Sequence, residues 1–190
     1  INENWALDPA ILRNYARHID TREPLPSELI DAITASRQFG QGFATSEYLA
    51  AAIIDMAWHS LSSEEAVGVS DVHAFEEAAL QDAGLVVEHL KPRYQSTYFN
   101  HIFGGGYSAG YYSYLWAEAL DADGFDWFTE TGAAGPGASG EAARAAGQRF
   151  RDLVLSRGGA SDYAAAFESL RGRAKDVAPL LRRRGLGGAL

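Results

Sequence analysis

The 190-residue chain has no cysteine, which removes disulfides, thiolate zinc sites, iron–sulfur clusters and a cysteine nucleophile in one step. Basic side chains are outnumbered: 16 Lys and Arg against 25 Asp and Glu give a formal net charge of −9 and a pI near 5.0. That balance argues against broad attraction to nucleic acid or to an anionic membrane surface. No stretch reaches the roughly 18 consecutive apolar residues of a membrane span. No secretory leader pattern opens the chain and its first residue is Ile1, so the expectation is a fragment or processed product of a cytoplasmic protein. What is present suffices for a folded core, with 47% hydrophobic and 22% charged residues.

The hydrophobic period is helical almost throughout, and the expected fold class is all-α, in one domain over residues 1–190. Asp8 before Pro9 predicts a helix over Ala10–Ile19, followed by a connector at Thr21–Pro26. Ser27 and Glu28 open a second helix running towards Phe39, and the richest apolar stretch, Phe43–Leu61, reads as a core helix. The Ser62–Glu65 and Val67–Val69 segments read as breaks. A helix over Val72–Leu80 capped near Asp71 follows, and then a period from Tyr107 to Phe128 that Gly124 divides. The Gly- and Ala-rich run Gly132–Gly140 reads as a surface loop. Further helices are expected at Glu141–Arg157, Ser161–Leu170 and Val177–Arg184, the last stopped by Gly185 in a left-handed cap. No strand-like alternation lasts long enough to support a sheet, and a short hairpin around Tyr98–Phe103 is the one alternative left open.

A helical zinc pair needs two histidines four residues apart on one face. His18, His59, His73, His89 and His101 include no such pair, so no metal ligand set is expected within the chain. There is no Gly-x-Ser-x-Gly elbow, and Gly104–Gly106 lacks the Gly-Lys-Ser/Thr of a phosphate loop. The informative segment is His101–Trp116. If a helix begins at Tyr107, then Tyr107, Tyr111 and Tyr114 share a face, and Tyr112, Leu115, Trp116 and Ala119 form a stripe better suited to the core. Phenols stay protonated near neutral pH and can stabilise a developing oxyanion. Gly104, Gly105 and Gly106 let backbone approach a ligand. Tyrosines at this spacing also suit an amphipathic core face with hydroxyls at its rim, and that reading stands beside the catalytic one.

The run Tyr98-Phe-Asn-His-Ile-Phe-Gly-Gly-Gly-Tyr-Ser-Ala-Gly-Tyr-Tyr-Ser-Tyr-Leu-Trp116 resembles the C-terminal signature of the thimet-oligopeptidase-like zinc metallopeptidases, in particular their bacterial peptidyl-dipeptidases. Asn4-Trp5-Ala6, Asp55-Met56-Ala57-Trp58-His59, Pro92-Arg93-Tyr94, Arg149-Phe150-Arg151, Leu155–Gly159, Arg171-Gly172-Arg173 and Leu181–Leu186 agree with it in order. The resemblance implies the C-terminal part of a larger helical catalytic domain that hydrolyses oligopeptides and releases C-terminal dipeptides. It also implies zinc held by a His-Glu-x-x-His helix and a further Glu, all upstream of Asn4. By the same resemblance Tyr107 and Tyr114 donate to the tetrahedral oxyanion, His101 holds the peptide backbone, and Tyr111 with the Gly104–Gly106 loop lines the channel.

Arg93 or Arg151 would meet the substrate carboxylate, and Glu3 would sit behind the metal or simply on a helix surface. Arg171, Arg173 and Arg182–Arg184 read as surface charges near helix C-termini. The chain alone is then expected to be inactive, to have the missing N-terminal part of the same enzyme as its partner, and to self-associate through exposed apolar surface. A non-catalytic helical peptide-binding or scaffold module is the competing expectation.

Overall fold

The computed structural model describes residues 1–187, and its regular elements are helices joined by turns and irregular segments. In chain order the helices are α1 (Asn2–Leu7), α2 (Pro9–Tyr15), α3 (Ser27–Ser36), α4 (Gln41–His59), α5 (Ser63–Gly68), α6 (Val72–Asp82), α7 (Asn100–Phe103), α8 (Ser113–Glu130), α9 (Gly140–Leu153), α10 (Tyr163–Arg171) and α11 (Ala178–Arg183). Short 3₁₀ turns occupy Ser96–Tyr98 and Leu155–Arg157. Among the described residues the only extended pairing is an isolated antiparallel bridge between Arg17 and Pro24, so the all-α expectation holds. None of these helices is long and apolar enough to cross a membrane.

The residues fall into two compact units: one formed by Ile1–Phe39 with Ala117–Leu190, the other by Gly40–Trp116. In the first unit the core gathers Trp127, Phe128, Ala133, Ala134, Ala146 and Leu170, with Trp5 edge-on to both Phe125 and Phe128. Asp8 behaves as its sequence context predicts, accepting from Ala10 N and Ile11 N at the start of α2. Its second oxygen accepts from Gly135 N at 2.9 Å, across 127 residues of sequence. The reading of Gly132–Gly140 as a surface loop holds for its exposed second half, 136–140, whereas the first half is anchored by that bond and buries Ala133 and Ala134 in the core. Helix α2 ends at Tyr15 rather than Ile19, because the chain turns at Ala16 and Leu25 N donates back to Ala16 O.

Helix α8 passes unbroken through Gly124, which is buried, so this glycine does not divide it. Beside it, Asp123 is fully buried. Arg171 Nε lies 2.9 Å from its Oδ1, Arg173 donates to both its oxygens at 2.6 and 3.1 Å, and Asp176 N donates at 2.9 Å. Arg171 is therefore a buried structural cation, correcting its reading as a surface charge. Arg183 and Arg184, also partly buried, pair with Asp121 and Glu118 of α8. Of the last three arginines only Arg182, facing Asp126, is largely exposed. Gly185 takes φ +70° and closes the last helix as expected.

The second unit is built on α4, whose Ala50, Ala51, Ile54 and Asp55 are wholly buried. One side of α4 meets Leu80, Leu85 and Leu90, and the other packs Ala51 and Ala52 against Phe99, Ile102 and Tyr111. Asp71 caps α6 through His73 N and Ala74 N, each at 3.0 Å. Residues 62–68, read as a break, instead form α5, held by a reciprocal capping box between Ser62 and Glu65. Around Tyr98–Phe103, where a hairpin is the alternative left open, the chain makes a 3₁₀ turn followed by α7.

Candidate functional site

The aromatic and glycine-rich segment lies wholly within the second unit, but helix α8 begins at Ser113 and not at Tyr107. Between α7 and α8 the chain makes consecutive turns, with Gly106 at φ +82° and Ala109 at φ +53°. Gly105 is sterically required: a Cβ there would sit 2.9 Å from His101 Cα and 3.0 Å from His101 O. These turns shift the helical phase, so the expected shared face does not arise by periodicity. Tyr111 is 4% exposed and belongs to the core with Phe99 and Ile102, whereas Tyr112 and Trp116, expected in the core, are 50% and 53% exposed.

The rings gather nevertheless. Tyr107 and Tyr114 stack with centroids 5.1 Å apart and planes 16° from parallel, and they are 36% and 43% exposed. Tyr111 stands edge-on to Tyr114 at 5.3 Å. His101 is half-buried among Tyr94 at 4.7 Å, Tyr111 at 5.7 Å and Tyr107 at 6.1 Å. Hydrogen bonding with the Tyr107 side chain pushes the Tyr114 phenol up to about 12, with burial acting in the same direction. Burial raises the Tyr111 phenol also, and the neighbouring Arg93 opposes that rise. Tyr111 and Tyr114 are thus phenols that do not ionise near neutral pH, and Tyr107 stacks on Tyr114.

Arg93 is exposed; its backbone N–H donates to Glu47 O at 3.0 Å and its guanidinium lies 3.6 Å from the Glu47 carboxylate. Within the second unit it acts on the Tyr111 phenol. Arg151 is exposed on α9, and Glu3 is exposed on α1. Gly104 and Gly105 carry the turn after α7, and Ser108 Oγ donates to Ile102 O to hold it.

The sequence reading gave no individual role to Asp55. This carboxylate is fully buried, accepts from Ala109 N at 2.9 Å and Tyr111 N at 2.8 Å, and lies 2.9 Å from His59 Nδ1. An acid inside the Ala- and Ile-rich stretch 50–57 of α4 was the available signal, since an unpaired charge is not buried there without specific partners. Tyr48, two turns earlier on α4, donates its hydroxyl to Tyr111 O at 2.5 Å and accepts from Leu115 N at 3.2 Å. Among the described residues no group of three or more His, Asp or Glu side chains converges as a metal would require, so the residues present do not form a zinc centre.

Comparison with known proteins bears on the family of the chain. The model of Peptidase family M3 matches residues 1–186. The chain is 42% identical over 186 residues to the dipeptidyl carboxypeptidase of Salmonella typhimurium, covering 98% of this chain and 26% of that protein. The dipeptidyl carboxypeptidase of Escherichia coli matches at the same identity and coverage. Oligopeptidase A of Salmonella typhimurium is 33% identical over 186 residues, again 98% of this chain and 26% of the relative. The chain spans about a quarter of the length of these curated relatives. With nearly every residue matched by the family model, the chain belongs to Peptidase family M3.

Proposed function

We propose that this chain forms the substrate-side wall of the active centre of a zinc-dependent peptidyl-dipeptidase, which hydrolyses oligopeptides and releases C-terminal dipeptides. Both units act as part of one larger helical catalytic domain. The residues described here supply no zinc ligand set, so the metal is held by the rest of that protein, which is also this chain's partner. When bound there, zinc supplies the Lewis-acid chemistry of peptide hydrolysis. Cysteine-free composition supports a cytoplasmic location.

The observation that carries this reading is the stacked, solvent-facing Tyr107–Tyr114 pair beside His101. A phenol that remains protonated donates a hydrogen bond to the oxyanion that forms when a peptide carbonyl becomes tetrahedral, and that bond strengthens as charge develops. Tyr107 and Tyr114 take this role, and His101 binds the peptide backbone. Arg93 receives the substrate's terminal carboxylate, for which an exposed guanidinium is suited. Tyr111, being buried, acts as the wall behind the pair, and the Gly104–Gly106 turn lets the peptide run close to the backbone.

The test is Tyr107→Phe in the intact peptidase. Loss of one oxyanion donor lowers kcat by about 10²–10³-fold, and KM changes far less because the contact matters chiefly in the transition state. An unchanged kcat overturns the assignment. The chain on its own, given Zn²⁺ and a blocked peptide, shows no turnover.

A further inference from the structure

We infer that α4 carries two positioning residues, Tyr48 and Asp55, which clamp the non-helical turn between Tyr107 and Tyr114 and thereby set how the two phenols face substrate. The inference rests on the catalytic reading of that tyrosine pair, and the clamp itself is a separate claim about geometry.

Asp55 lies seven positions after Tyr48, which places them on one face of α4 about two turns, roughly 10 Å, apart. Between them stand Ala51 and Ala52, small enough for the turn and its aromatic neighbours to pack close to the helix. The two side chains bind four backbone groups of the opposing segment. Asp55 takes Ala109 N and Tyr111 N on its separate oxygens, while the Tyr48 hydroxyl donates to Tyr111 O and accepts from Leu115 N. Leu115 N lies in the first turn of α8, where N–H groups have no partner within the helix. Ala109 holds a left-handed conformation disfavoured for alanine, and its amide is one of the two that Asp55 binds. Strain of that kind persists when surrounding bonds over-determine it.

Three of the four bound groups fall strictly between Tyr107 and Tyr114, and the fourth follows Tyr114 directly. Any slackening of the clamp therefore changes the position of one phenol relative to the other. Neither Tyr48 nor Asp55 needs to touch substrate for this. The fully buried carboxylate has its partners assembled: two amides, and the His59 ring at 2.9 Å. Burial without such partners would be prohibitive, so both the location and the ligands of Asp55 are accounted for by holding this turn.

The experiment has two arms. In the intact peptidase, Tyr48→Phe removes a single oxygen and Asp55→Asn removes the charge at constant shape. Each is expected to lower kcat by up to about 10²-fold, the scale of a 1 Å misplacement, with KM little changed. In a Tyr107→Phe/Tyr114→Phe background the same substitutions alter kcat by no more than about twofold, because the hydroxyls they position are gone. A full drop in both backgrounds indicates general disruption and overturns the proposal, as does an unchanged kcat for Tyr48→Phe where Tyr107→Phe is impaired.

The second arm reads geometry without activity, as the nuclear Overhauser contact between the Tyr107 and Tyr114 rings in the full chain. Either substitution weakens that contact, and persistence of the contact at full strength in Tyr48→Phe overturns the clamp. If Tyr107→Phe proves to have normal kcat, the oxyanion assignment fails, while the ring contact still decides the clamp. Tyr48→Phe keeps the test decisive should Asp55→Asn not fold.

Discussion

Asp123 offers the sharpest test of what holds the first unit together. Asp123→Asn keeps side-chain volume but removes the negative charge shared by Arg171 and Arg173. The Arg171 side chain is only 2% exposed, so solvent cannot replace the lost partner. Breaking a buried pair from one side costs about 3–5 kcal/mol. Arg171 retains a bidentate contact to Glu130, at 2.6 and 3.1 Å, which places the expected loss near the lower bound, about 3 kcal/mol. For a chain of this length that corresponds to a fall in Tm of about 6–12 °C. Asp126→Asn is the matched control, because its partner Arg182 is 60% exposed and a surface pair contributes about 0–1 kcal/mol. Urea unfolding followed by circular dichroism and tryptophan fluorescence measures both variants. Equal losses, within about 0.5 kcal/mol, would refute the claim that burial makes the Asp123 cluster matter.

Gly105→Ala forces a methyl against the backbone of Asn100 and His101 and is expected to destabilise by about 1–3 kcal/mol. Gly147→Ala, in the interior of α9 with open space around it, stabilises by about 0.5–1 kcal/mol, and the same denaturation series reads both signs. Hydrogen bonding from Arg171 holds the Glu130 carboxyl below its ordinary 4.5, with burial opposing. A depressed folded-state value gives stability that is present above pH 4.5 and lost as pH falls through that lower value. Glu130→Gln therefore flattens the acid side of the Tm–pH curve, by less than about 1 kcal/mol because Glu130 is largely exposed, and identical curves would refute it. Phe39, Val67 and Ile19 are at least 80% exposed, so the isolated chain is expected to self-associate in a sedimentation concentration series, and a strictly monomeric species counts against that.

Much of the fold was legible locally. The caps at Asp8 and Asp71, the left-handed stop at Gly185 and the apolar density of α4 depend on residues within a few positions of each other, and the structure reproduces each. Helix α5 was equally local and still missed: the Ser62-x-x-Glu65 capping signature outweighs the polar character that made the segment look like a break. The anchoring of the first half of the 132–140 loop and the burial of Arg171 were missed for a different reason. Composition says how flexible or charged a segment is, but not that Asp8 and Asp123 bind it from across the sequence.

By itself the sequence determined the helical class, most helix starts and stops, and the pattern of tyrosines, glycines and histidine that marks the family, because these are properties of residue type and short spacing. Tertiary structure decided which tyrosines face solvent. The turns at Gly106 and Ala109 reset the helical phase, burying Tyr111 and exposing Tyr112, and hydrogen bonds join that segment to Asp55 and Tyr48 across 54 to 67 residues. No periodicity in the Tyr107–Trp116 stretch encodes those bonds, since the side chain at the far end of each lies on α4.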